Sequence, residues 1–258
     1  MSHNKKTILI ADDHEDMLFM LSDTLQQDYT IVCARNGIEA LALLEEHPVT
    51  LVISDVMMPE MNGFELCEKI KSNYEFSHIP IILLTAKNTL QSKIEGLDVG
   101  ADVYVEKPFS MEFLVAQIKS LLMNRDRLKS YFIKSPTAQI TSMASNEIDK
   151  SFLETLERHI YENMADTDLD VPLLAKCMNM SRTSLYRKIN SLSDLSPAEI
   201  INLTRLKKAI EILSTKNMRL NEVVDAVGYS SVTQLGRNFQ KHFGMTPSEY
   251  IKKTYKSA

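Results

Sequence analysis

The sequence predicts two architectures in one chain. The first is a doubly wound α/β domain on a five-stranded parallel sheet, and the second is an all-α domain with two helix-turn-helix units. Three observations carry this prediction. Short β-branched runs alternate with amphipathic stretches up to about residue 123, and such alternation implies a parallel sheet covered on both faces. Beyond about residue 149 the apolar residues recur only at helical spacing. Two stretches, 171–189 and 220–242, each read as helix, turn, helix. At 258 residues and 44% hydrophobic, the chain has length for about two ordinary domains, each with its own core.

Taken in order, residues 7–11 read as a buried strand, with Leu18, Leu21 and Leu25 at helical spacing behind it. Strands are expected at 30–34, 51–54, 80–84 and 103–105. Helices are expected between them at 37–46, 63–72 and 89–98, and a last one at 110–123 carries Leu114, Ile118, Leu121 and Leu122. Residues 125–148 are rich in Ser, Thr and Ala with weak periodicity and read as a linker. The expected domains are therefore 1–124 and 149–258. In the second, helix starts follow Asp149, Asp170, Ser181, Ser196, Leu220 and Ser230, and Pro172, Pro197 and Pro247 sit where a missing N–H costs little.

Composition narrows the function classes. No apolar run approaches the ~18 residues that span a bilayer. Asp12 and Asp13 interrupt the first apolar stretch, which argues against a signal peptide. Cys33, Cys67 and Cys177 lie far apart and make no metal-ligand pattern, so reduced thiols in the cytoplasm are expected. The net charge of −5 hides an asymmetry. Residues 1–125 hold 19 acids and 10 Lys/Arg, net −9, whereas residues 126–258 hold 15 and 19, net +4. An acidic half can concentrate a divalent cation and a basic half can face phosphates, although both also suit solvated surfaces.

Asp12 and Asp13 follow the first predicted strand, Asp55 the third, Thr85 the fourth and Lys107 the fifth. A parallel sheet brings all five to one edge. Three crowded carboxylates repel one another unless a cation neutralises them, and oxygen ligands at that density suit Mg²⁺. Asp55 can then act as a nucleophile toward a phosphoryl group. Thr85 can hydrogen-bond a phosphoryl oxygen, and Lys107 can pair with its charge. Singly each residue has a plainer use: an N-cap for Asp13, a strand end for Thr85, a turn for Lys107. Five suitable residue types at consecutive strand ends outweigh those readings.

Residues 5–123 resemble the receiver domain of response regulators, which has a flavodoxin-like fold. The matching segments are Ile8-Leu9-Ile10-Ala11-Asp12-Asp13, Ser54-Asp55-Val56-Met57-Met58-Pro59, Leu84-Thr85-Ala86 and Lys107-Pro108-Phe109. The resemblance implies phosphorylation of Asp55 by a histidine kinase. It also implies Mg²⁺ held by Asp12, Asp13, Asp55 and the Met57 backbone carbonyl, and a cis Lys107–Pro108 bond. It further implies a switch in which Thr85 moves inward and Tyr104 follows, altering a face used for homodimerisation. Asn62 stands where Asp is common, a change that a turn position tolerates.

In the second half Leu173, Leu174, Ala175 and Cys177 make an apolar helix before a turn at Asn179-Met180. Ser181 then caps a helix with Leu185 and Ile189 inward and Arg182, Thr183, Tyr186 and Arg187 outward. In the later unit Val223, Val224 and Val227 precede Gly228, which permits a left-handed turn. Ser230 or Ser231 caps a helix that buries Leu235 and Phe239 and leaves Thr233, Gln234, Arg237 and Lys241 outward. Arg, Thr, Tyr and Gln can reach base edges or phosphates. A single unit of this kind is equally consistent with a plain helical hairpin. Two, joined by a helix at 197–213 bearing Arg205, Lys207 and Lys208, point to DNA.

Residues 150–253 resemble the AraC-type DNA-binding domain, through Met180-Ser181-Arg182, Leu185-Tyr186-Arg187-Lys188, Val227-Gly228-Tyr229 and Phe239 to Tyr250. Two departures stand out. Asp194 occupies a position that is usually Gly, and the second outward helix reads Gln234-Leu235-Gly236 where an aromatic pair and Ser are usual. A mid-helix Gly costs ~1 kcal/mol relative to Ala, so an altered or weaker DNA preference is expected there. The whole order resembles the C-terminal end of hybrid two-component sensors, and a stand-alone regulator and an excised output module both remain open. The expected function is a non-enzymatic, phosphorylation-controlled transcription regulator that binds DNA. An Mg²⁺-dependent phosphatase is disfavoured because Met57 stands where a proton donor would be needed. A signalling adaptor whose helical half binds protein is the remaining alternative.

Overall fold

The computed structural model describes residues 5–86, 99–215 and 218–255; the helix expected at 89–98 lies outside the described residues. The chain divides into two compact units, 1–125 and 126–258.

The first unit runs β1 (Thr7–Ala11), α1 (Glu15–Leu25), β2 (Thr30–Ala34), α2 (Gly37–Glu46), β3 (Val49–Asp55), α3 (Gly63–Ser72), β4 (Ile81–Thr85) and β5 (Val103–Glu106). Helix α4 (Met111–Lys134) begins in this unit. The sheet is parallel throughout, in the order β2-β1-β3-β4-β5. Successive side chains of a strand point to opposite faces, and β1 divides accordingly. Ile8 and Ile10 pack with Leu21, Leu114 and Ile118 on one face, and Leu9 and Ala11 with Leu44, Leu66 and Ile70 on the other. Burial on both faces explains why β1 and β4 are continuous apolar runs. The five-stranded doubly wound fold is the one the alternation predicts, and the Lys107–Pro108 bond is cis.

The second unit contains a 3₁₀ turn (Ile140–Met143), then α5 (Glu147–Glu162), α6 (Val171–Cys177), α7 (Arg182–Ser193), α8 (Pro197–Thr215), α9 (Leu220–Ala226), α10 (Val232–Phe243) and α11 (Pro247–Tyr255). The segment read as a linker is folded. Phe132, Ala138, Ile140 and Met143 are buried in the same core as Leu156, Leu206 and Val223. Their burial follows no single period because helix end, loop and 3₁₀ turn each contribute one or two residues. Lys207 of α8 donates to the carbonyls of Phe132 (2.8 Å), Ala138 (3.0 Å) and Ser135, and lies 4.4 Å from the Phe132 ring. It thereby satisfies carbonyls that a helix end leaves unpaired.

Several helix boundaries differ from those expected: α4 runs on to Lys134, and α9 starts at Leu220 with Arg219 as its N-cap. Asn146, not Asp149, caps α5, its side chain accepting from the Asp149 amide. Of the two candidate serines, Ser231 caps α10. Arg205 and Lys207 are not outward cations. Burial lowers the Arg205 pKa, and its guanidinium donates to the Asp166 carbonyl. Lys208 is spent on Glu211 at 2.7 Å. Gly228 takes φ +69°, and a Cβ there would collide with the Met164 carbonyl and come within 2.9 Å of Arg205 Nη2. Asp194 also adopts the left-handed region (φ 60°) as the C-cap of α7, which is why Gly suits that position.

Candidate functional site

Register brings the sequence-predicted acids to one edge of the sheet. Ala11, the last residue of β1, pairs with Ser54, so Asp12 and Asp55 leave adjacent strands side by side. Asp55 pairs with Leu84, immediately before Thr85, and Thr85 pairs with Glu106, immediately before Lys107. Asp12, Asp55 and Thr85 are buried, whereas Asp13 is more open.

Lys107 joins two of the acids. Its Nζ lies 3.0 Å from Asp12 Oδ2 and 2.9 Å from Asp55 Oδ1. Burial lowers the Lys107 pKa, but hydrogen bonds to Asp55 and Asp12 outweigh it and raise the value overall. Burial is the largest influence on Asp55 and holds its pKa above the usual carboxylate range, with Lys107 opposing. Asp55 Oδ2 also accepts from the Met57 amide at 3.2 Å. Met57 itself is exposed.

Two participants have no signal in the sequence pattern. His14 donates its backbone N–H to Asp12 Oδ1 (2.9 Å), and its Nδ1 lies 3.1 Å from Asp12 and 2.9 Å from Asp13. The hydrogen bond to Asp12, with Asp13 adding, raises the imidazole pKa. His14, rather than Asp13, also holds the N-cap position of α1. Asp12, Asp13 and His14 present one ligand atom each within 4.8 Å of one another, a group able to hold a metal ion. The other missed residue is Gly63. A Cβ there would strike the Asp55 carbonyl and lie 2.9 Å from Val56 Cα, so only glycine lets α3 start against the strand that carries Asp55. Asn62 caps that helix by accepting from Phe64 and Glu65, and Glu65 accepts in return from the Asn62 amide.

Tyr104 is half-buried on β5 and packs with the Leu9–Leu83 cluster. Its hydroxyl is buried and meets no hydrogen-bond partner among the described residues.

In the helical unit Arg182, Thr183, Tyr186 and Arg187 are exposed on α7, and Thr233, Gln234, Arg237 and Lys241 on α10. Leu185, Ile189, Leu235 and Phe239 are buried beneath them. Lys188, which the sequence places beside Arg187 without distinction, is fully buried and paired with Asp149 at 2.6 Å. Asp149 Oδ2 accepts from Ser145 and Asn146 as well.

A parallel five-stranded sheet with a buried acid-lysine cluster at one edge, followed by paired helix-turn-helix units, defines a class in which a receiver is coupled to an output domain. The family model described as "Response regulator receiver domain" matches residues 8–119, and the one described as "Helix-turn-helix domain" matches residues 174–253. The chain belongs to the response regulator family. "Response regulator GtcR" of Aneurinibacillus migulanus is 34% identical over 187 residues, covering 71% of this chain and 74% of that protein. "Histidine kinase P4" of Formosa agariphila is 39% identical over 246 residues, 95% of this chain, and the chain spans 18% of its length. "Probable transcriptional regulator ycf27" of Cyanophora paradoxa is 38% identical over 167 residues, 63% of this chain and 65% of that protein. Among solved structures, the BeF3-activated DrrB receiver domain is 34% identical and covers 46% of this chain and 98% of that chain, with a TM-score of 0.43. No helix among the described residues is long and apolar enough to cross a membrane.

Proposed function

We propose that the chain is a phosphorylation-controlled, sequence-specific DNA-binding regulator in which Asp55 is the phosphoacceptor. The observation that carries this is the single ammonium of Lys107 held between Asp12 and Asp55 at 3.0 and 2.9 Å. A carboxylate oxygen of Asp55 attacks the phosphorus of a phosphohistidine on a partner kinase. The P–N bond breaks and an acyl phosphate forms. Lys107 then pairs with the phosphoryl charge and the Thr85 hydroxyl donates to a phosphoryl oxygen. Transfer onto Asp55 and later hydrolysis are both assisted by the receiver itself.

Asp12, Asp13, Asp55 and the Met57 carbonyl would hold Mg²⁺. The donor set fits a hard cation: all four ligands are oxygens, and the Asp12 and Asp13 carboxylates already converge. When bound, Mg²⁺ supplies the positive charge that offsets repulsion between the acids and the incoming phosphoryl group.

The phosphoryl group adds nearly two negative charges. To take a two-state equilibrium from 1:99 to 99:1 it must favour one state by about 5.5 kcal/mol. Thr85 and Tyr104 are the proposed switch, since the buried Tyr104 hydroxyl, lacking a described partner, can change position without breaking a described hydrogen bond. The altered face favours a homodimer. The basic helical unit then binds DNA through Arg182, Thr183, Tyr186, Arg187, Thr233, Gln234 and Arg237, in the cytoplasm. A second reading, the output end of a longer hybrid sensor, is favoured by similarity over 95% of this chain to 18% of a histidine kinase.

An acyl-phosphate donor with Mg²⁺ should label the wild type and leave Asp55→Asn at background; equal labelling of both rules the site out. Sedimentation of the labelled protein should show added dimer, and an unchanged mass distribution removes dimerisation from the switch.

A further inference from the structure

The two outward helices can be superposed by sequence, residue for residue, because their frames match. Both have twelve residues, serine N-caps (Ser181, Ser231) and left-handed C-caps (Asp194 at φ 60°, Gly244 at φ 71°). Buried Leu185 and Ile189 correspond to buried Leu235 and Phe239. Position i of α7 therefore answers to position i + 50 of α10. In this register the outward faces differ. Thr183 and Arg187 are matched by Thr233 and Arg237, all exposed. Arg182 is matched by Val232, which packs against the core, and exposed Tyr186 by Gly236. Ser191 is matched by exposed Lys241.

Gln234 is further limited. Its Oε1 accepts from the Ser230 amide at 3.0 Å and the Ser230 hydroxyl at 2.8 Å, while its own amide is capped by Ser231. The side chain is folded back over the helix start, which uses up the acceptor half of a bidentate contact to adenine. Gly236 has no packing reason to be small, since a Cβ there meets nothing within 4 Å.

We propose that base discrimination resides in α7 and that α10 serves as a phosphate anchor. This rests on the DNA-binding reading above. Side chains that reach base edges specify, whereas cations on phosphates add affinity that is blind to sequence and sensitive to salt. On α10, Arg237 and Lys241 supply charge, but the places of Arg182 and Tyr186 are held by residues that cannot reach a base.

The test uses the full chain, phosphorylated with an acyl phosphate, and a DNA site selected from a random pool. Each base pair is then changed in turn and the affinity measured. One half of the site should show losses of tenfold or more, and the other, about a helical turn away, losses under about threefold. Arg187→Ala should flatten the sensitive half. Arg237→Ala should weaken all sequences equally and reduce the salt dependence. Gly236→Tyr, which has room for its Cβ, should create base dependence in the tolerant half. Equal base dependence in both halves, or an Arg237→Ala variant that alters sequence preference, overturns the assignment while leaving DNA binding intact. Absence of any salt-dependent binding at low salt overturns the DNA-binding reading itself.

Discussion

Each unit buries a lysine against an aspartate, yet the two pairs have opposite consequences. Lys188 and Asp149 are both fully enclosed, 2.6 Å apart, and the remaining Asp149 oxygen is occupied by Ser145 and Asn146. Lys107 lies at the sheet edge, 20% exposed, between Asp12 and Asp55, and Asp13 beside them is 34% exposed. A closed pair is sealed from solvent and can only hold elements together, here the start of α5 against α7. An open pair keeps a face toward solvent, so an incoming cation or phosphoryl group can replace one of its partners. Buried charge thus marks a site of chemistry only where its coordination is left incomplete.

The largest stability effect should come from breaking the closed pair. Asp149→Ala strands a buried ammonium and should cost about 3–5 kcal/mol. The combined Asp149→Leu, Lys188→Met variant should sit within about 1–4 kcal/mol of wild type, on the stabilising side. Denaturant unfolding followed in the helical unit measures both, and a single variant as stable as the double would show that the pair is not closed.

Lys107→Met offers the sharper contrast. Without Mg²⁺ it leaves Asp12 and Asp55 facing each other and should cost about 1–3 kcal/mol. Added Mg²⁺ should recover that loss in the first unit, whereas the loss that Lys188→Met causes in the helical unit should not respond to the ion. Thermal melts with and without Mg²⁺ decide, and rescue of both or of neither erases the distinction.

The smallest effect is expected at Asp194→Gly. Relief of the left-handed backbone is opposed by glycine's greater chain entropy. The lost pair with Lys129, 2.7 Å away but on an exposed carboxylate, is worth about 0–1 kcal/mol. The net change should stay under about 1 kcal/mol in the same unfolding assay, and a larger one would make this exposed pair behave like the buried one.

Much of this was legible in the residues. Strand-helix alternation identified the doubly wound sheet, and the residues ending its strands marked Asp12, Asp13, Asp55, Thr85 and Lys107. The outward faces of α7 and α10 followed from helical periodicity. Less legible were His14, which sits beside the acids only through the turn after β1, and Gly63, whose need arises from the backbone of another segment. The 125–148 segment looked like a linker because its buried residues come from three short pieces with no shared period.

By itself, then, the sequence determined what local periodicity and parallel topology control: which faces are apolar, and which residue types arrive at one sheet edge. Only the tertiary structure decided the partners of Lys188 and Lys207. Those bonds join residues 39 and up to 75 positions apart. A lysine's surroundings are set by whatever long-range packing brings to it, and nothing in its immediate neighbours distinguishes a solvated ammonium from one sealed against a carboxylate or a helix end.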